Sequence, residues 1–210
     1  MARDPFTPDD LETAVELVVT ALRPVADTAS TADWGVPAGD LEWDCRATAE
    51  HLVDDMFGYA AQVGGTMREG YLPFRVVVDA DASPSQLLGL VRAGGRLLAS
   101  AIRCAPADLR AYHPWGTADA EGYAAMGAAE VLVHGADLAS GLGVRLEPPA
   151  GVCRRLVGRL FPDAPEHPEP WPLLLWCTGR TALPGVPRRA SWRWYGEPPD
   201  ERPSIHEKRS

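Results

Sequence analysis

Two ionisable residues stand four apart in one of the most apolar helix-forming stretches of the chain, and any fold has to accommodate them. In Ala128-Ala129-Glu130-Val131-Leu132-Val133-His134-Gly135, helical spacing puts Glu130 and His134 about 40° apart around the axis and about 6 Å apart along it. An arbitrary Glu-x-x-x-His is most often a solvated surface pair, but here the intervening valines and leucine and the flanking alanines mark an interior segment. A carboxylate buried there without a partner would be costly, so the pair needs a shared counterpart, and one metal ion would serve. Two ligands on one helix require a third from a facing helix. Of the five histidines, His113, His167 and His206 lie near loops or the tail, whereas His51 sits mid-way along a second amphipathic segment and is the natural donor. Two imidazoles and a carboxylate suit zinc first, with nickel, iron or cobalt as alternatives, and three protein ligands leave a coordination position open.

The rest of the chain reads as helices to carry this group. Thr7, Pro8 and Asp10 open a first helix that should end near Pro24. Asp44 caps a second, which runs to about Val63 and stops at Gly64-Gly65. Ser83, Pro84 and Gln86 open a third, and the fourth starts near Thr117 and ends at Gly141 or Gly143. Val76-Val77-Val78 suggests a short strand, and Trp34 and Trp43 anchor the loop from Asp27 to Asp44. The expected fold class is mainly α: a helical bundle over residues 1–146 and a short α/β or irregular appendage over 147–210 packed on it. That appendage holds a short helix at Val152–Leu160, an apolar segment from Trp171 to Leu183, and Ser191–Tyr195 as a strand or packing tail.

Charge narrows the partners. Against 29 Asp and Glu the 20 Lys and Arg are scattered, for a formal charge of −9, which argues against nucleic acid. No apolar run approaches the roughly 20 residues of a membrane span, and Met1 to Pro5 lack the apolar region of a signal peptide, so a cytoplasmic chain is expected. Cys45, Cys104, Cys153 and Cys177 are widely separated, with no Cys-x-x-Cys spacing and no recognisable catalytic partner.

Trp34, Pro37 and Trp43 ahead of Ala49-Glu50-His51-Leu52, together with Ala129-Glu130-Val131-Leu132-Val133-His134-Gly135-Ala136-Asp137-Leu138-Ala139, resemble the mycothiol-dependent maleylpyruvate isomerase family of the DinB-like superfamily. The resemblance covers roughly residues 8 to 145. The later Trp171-Pro172-Leu173-Leu174-Leu175-Trp176-Cys177-Thr178-Gly179-Arg180, followed by Trp192 and Trp194, is similar to a carboxy-terminal segment of many relatives. The family resemblance implies a DinB-like four-helix bundle, a divalent metal on His51, Glu130 and His134, and mycothiol as a thiol cofactor. The expected activity is then isomerisation or S-transfer on a small electrophile, because coordination to a cation deprotonates a thiol whose free pKa is about 8.5.

Other residues enter as candidates beside a plainer reading. His113, before the fourth helix, is a candidate acid or base or part of a simple turn; Arg96 and Arg92 could steady an anion or be solvated arginines. Trp34 and Trp43 are candidates for lining a cofactor site or for packing that places His51, and Arg180 is open in the same way. Asp137, three residues after His134, could orient a ligand, with Asp54 and Asp55 equally undecided. The competing functions are a metal-dependent hydrolase acting through a water of lowered pKa, and a non-catalytic metal-binding module that could dimerise through an apolar helix face.

Overall fold

The computed structural model describes residues 3–202, so His206 lies outside the described part. Its helices are α1 (Pro8–Ala26), α2 (Cys45–Gly64), α3 (Pro84–Cys104), α4 (Ala120–Gly141), α5 (Ala150–Leu160) and α6 (Pro170–Cys177), with a 3-10 turn at Thr31–Trp34. No strand occurs among the described residues, so the fold is mainly α. None of these helices is long and apolar enough to cross a membrane.

The helix starts follow from side chains that satisfy free backbone N–H groups. Thr7 and Asp10 form a reciprocal capping box on α1, as Ser83 and Gln86 do on α3, and Asp44 accepts from Ala47 N at 2.7 Å on α2. Two boundaries differ from expectation. α1 continues past Pro24 to Ala26, because Pro24 and Thr20 both face solvent and water can take up the carbonyl that the proline leaves free. α4 begins at Ala120 instead of near Thr117, because Ala111 and Ala118 exchange backbone hydrogen bonds of 2.9 and 2.8 Å and hold the preceding residues in a loop until Asp119 caps the helix.

The four long helices pack with α1 and α2 each lying against both α3 and α4. Small residues permit the approach. A Cβ on Gly135 of α4 would come within 2.7 Å of the Val18 side chain of α1, and one on Gly141 within 2.3 Å of the Pro37 carbonyl, so both glycines set how closely α1 and the 35–44 loop meet α4. Apolar side chains of all four helices, from Leu11 to Leu138, form one hydrophobic cluster. Leu156, Leu174 and Trp194 from beyond residue 147 belong to it too, so the appendage shares the core.

The strand expected at Val76–Val78 is absent, and the alternative left open for Ser191–Tyr195 is resolved. Val76 N–H donates to the Asp54 carboxylate (2.8 Å) and Val77 is 85% exposed, so this apolar run has no strand to pair with and follows the surface of α2. Ser191–Tyr195 is a packing tail, not a strand. Its anchor is Arg159 of α5, fully buried, which donates to the carbonyls of Tyr195 and Gly196 (2.9 Å each) and to Asp119 at the start of α4 (2.6 Å).

Candidate metal centre

α2 and α4 bring their polar faces together inside the helical cluster. His51, Asp55 and Tyr59 follow one another at four-residue intervals on α2, opposite Glu130 and His134 on α4. One donor atom from each of His51, Glu130 and His134 lies within 4.8 Å of the other two, a group that could hold a metal ion. Glu130 Oε2 is 3.3 Å from His134 Nε2 and 3.9 Å from His51 Nε2, so both imidazoles present the same nitrogen to the carboxylate.

The outer contacts fix these groups. His134 Nδ1 is 3.1 Å from Asp137 Oδ2, and Arg180 Nη2 donates to that oxygen from the other side (3.0 Å). An imidazole whose far nitrogen is bonded to a carboxylate is held in one orientation and made more basic. Burial alone would lower the His134 pKa, but the bonds to Asp137 and Glu130 outweigh it and push it up to about 9. His51 moves the other way, its burial outweighing the attraction of Glu130. Burial would raise the Glu130 pKa, yet the two histidines hold it below the ordinary range; Asp55, also buried and facing Glu130, is pushed well above it. The indole of Trp43 stands 5.0 Å from the His51 ring and 6.3 Å from that of His134, shielding the group on the side of the 35–44 loop.

A cavity of about 350 Å³ opens from this group. His51, Asp55, Glu130 and His134 form its floor, and Tyr59, Tyr71, His113, Trp115, Trp192 and Trp194 make most of its walls, with Thr178 and Arg180 at the side. Apart from Tyr59 of α2, these walls come from Tyr71, from the 113–116 loop and from the tail. Nothing in the helical periodicity of the sequence pointed to Tyr71, Thr178, Trp192 or Trp194 as cavity residues. No family model, curated protein or solved structure matches the chain.

The structure sorts the remaining candidates. Asp55 faces the group while Asp54 turns away to cap Val76. His113 lines the cavity. Arg96, the other candidate for catalysis, does not: it lies on the α1–α3 surface, paired with Glu16 at 3.1 Å, with Arg92 on the same carboxylate at 2.9 Å. The amphipathic stripe of α3 put these arginines on its polar side, and Glu16 of α1 claims both. Trp34 is likewise displaced as a cofactor-site residue, being fully buried in the core, so it packs and does not line the cavity. Trp43 is the member of that pair that touches the site.

Proposed function

We propose that His51, Glu130 and His134 hold one divalent cation, zinc first among the candidates, within a DinB-like four-helix bundle. The protein would then be a low-molecular-weight-thiol-dependent isomerase or S-transferase acting on a small electrophile, with mycothiol as the thiol. The donor set suits zinc, nickel, iron or cobalt. Asp55 supports the fit independently: its Oδ2 is 3.1 Å from His51 Nε2 but makes no hydrogen bond with it, leaving a buried carboxyl oxygen unsatisfied beside the three ligands.

The observation that carries this reading is the cavity of about 350 Å³ that opens from His51, Glu130 and His134, with room there for a small thiol and an electrophile. Cys45, Cys153 and Cys177 are buried elsewhere with thiol pKa values pushed up by burial to about 11 or 12, Cys104 is exposed, and none of the four lines the cavity. A sulfur nucleophile at this site would have to arrive with a cofactor. A divalent cation bound there would supply the charge that removes the proton from such a thiol at neutral pH. The protein supplies the rest: Asp137 and Arg180 orient His134, Trp43 limits water access from the loop side, and the aromatic walls surround the electrophile.

Calorimetric titration of the metal-loaded protein with mycothiol tests this, with His134→Ala as the variant that should lose the ion. Saturable heat in the parent and none in the variant is expected. Absence of heat with metal present would reject the thiol reading. Thiol-independent turnover of an ester or amide would favour the second reading, a hydrolase acting through a water of lowered pKa.

A further inference from the structure

The cavity wall facing away from the metal ligands carries hydrogen-bond donors that the protein does not use. The Trp115 backbone N–H donates to His113 Nδ1 (3.2 Å), which makes that nitrogen an acceptor and leaves the ring proton of neutral His113 on Nε2. His113 Nε2 lies 3.4 Å from the Tyr59 hydroxyl, so the hydroxyl oxygen is the acceptor of that long contact and its own proton is free to be donated. The indole N–H of Trp194, whose ring centre is 6.0 Å from that of His113, has no hydrogen-bond partner. All three side chains line the cavity, and their exposures are 5% for Tyr59, 8% for His113 and 5% for Trp194. Buried polar groups are nearly always satisfied, so two donors without an acceptor in one cavity, the Tyr59 O–H and the Trp194 N–H, beside a His113 N–H whose own contact is long, point to an oxygen supplied by a ligand.

We propose that His113 Nε2–H, with the Tyr59 hydroxyl and the Trp194 indole N–H beside it, forms a subsite for the carbonyl oxygen of a flat, uncharged substrate. A neutral acceptor suits this end of the cavity, because His113 is an uncharged donor and the guanidinium groups beside the cavity are already engaged. Arg180 is held by Asp137 and by the Thr178 carbonyl. Arg193 binds the Trp115 carbonyl and Glu197, which holds the 113–116 loop against the tail. Flatness follows from the aromatic faces of Tyr71, Trp115 and Trp192. Burial, with Arg193 nearby, lowers the His113 pKa to about 4, so the ring remains a neutral donor at physiological pH instead of a base.

The subsite deepens the thiol reading and rests on it only for the direction of electron flow. When a thiolate forms a C–S bond at the far carbon of a conjugated carbonyl, the π pair moves to the carbonyl oxygen. Donors already in place hold that negative charge without reorganisation. Return of the pair breaks the C–S bond, releases the thiolate and restores the double bond in either geometry.

The probe for the test is 4-(dimethylamino)cinnamaldehyde, whose absorption band moves to longer wavelength when its carbonyl accepts hydrogen bonds. It is added to the zinc-loaded full-length protein without thiol. A red-shifted band is expected on binding, with the shift largely lost and affinity reduced about tenfold in His113→Phe. Partial recovery is expected in His113→Gln, which keeps an N–H donor, and a smaller loss in Trp194→Phe. Should the phenylalanine variant not fold, the glutamine and Trp194→Phe variants still decide. An unshifted band, no binding by the parent, or a shift indifferent to all three substitutions would overturn the subsite. A shift that depends on His113 in a protein that gives no heat with mycothiol would retain the subsite and remove the thiol reading.

Discussion

Asp137 touches no position from which it could share an ion with His51, yet its bond to His134 Nδ1 fixes which imidazole nitrogen faces Glu130. Asp137→Asn should therefore weaken zinc binding by about 10- to 100-fold while leaving the helices intact, as read by competition with a chromophoric chelator. Unchanged affinity would mean that this contact does not tune the ligand. His113 makes a different prediction, in stability. Its pKa of about 4 in the folded protein lies below its ordinary value of 6.5, so between these values the unfolded chain binds the proton and the folded one does not. Stability should fall as pH drops from about 6.5 to about 4, by at most about 3 kcal/mol from this residue. Denaturant titrations at pH 7 and pH 4.5 check the sign, and His113→Phe should flatten that part of the profile. At this scale the grouping of His51, Glu130 and His134 was legible in the sequence, because a four-residue interval in an apolar helix reports a shared buried face and His51 is the histidine placed mid-way along another amphipathic helix. Asp55 was not separable from Asp54: one position of helical rotation decides between facing Glu130 and capping Val76, and only the packing of α2 sets that rotation.

α4 carries Glu130 and His134 and is positioned at two places along its length. Near its middle, Gly135 lets α1 approach next to His134, so Gly135→Ala should strain the Val18 contact and destabilise the fold by about 1–3 kcal/mol, measured by thermal or denaturant unfolding. At its start, Asp119 shares Arg159 with the tail carbonyls. Arg159→Met should cost about 3–5 kcal/mol, because it leaves a carboxylate and two carbonyls without their buried donor. Limited proteolysis should then cut the tail near residues 190–196 faster than in the parent; an unchanged cleavage rate would show that other contacts hold it. The helices themselves were readable from caps and periodicity, since both are local. Val76–Val78 misled because an apolar run signals a strand only where a partner strand exists. Arg96 stayed open between an anion contact and a surface arginine because a polar stripe does not reveal which neighbour it meets, here Glu16 of α1.

For the molecule as a whole, an ion bound to the folded state alone should stabilise it in proportion to the logarithm of metal concentration. At a hundredfold excess over Kd the gain is about 2.7 kcal/mol, or roughly 5–10 °C in Tm for a chain of this size, and a chelator should abolish it. No Tm difference between zinc-loaded and chelated protein would argue against His51, Glu130 and His134 as a binding group. The mainly helical architecture could be foreseen, but the cavity walls could not. Trp115, Trp192 and Trp194 looked like packing residues, and they do pack, against one another at 5.0 to 5.6 Å between ring centres, but nothing periodic relates the loop before α4 to a tail nearly eighty residues later.

That division of labour has a consequence for how such a protein could change. The side chains of the candidate metal group stand on two helices, whereas most of the cavity walls stand on irregular segments outside them. Mutation at Tyr71, Thr178 or Trp192 could retune which compounds fit while the reactive centre is inherited unaltered, so descendants of one ancestral chain could diverge in diet without reinventing their chemistry.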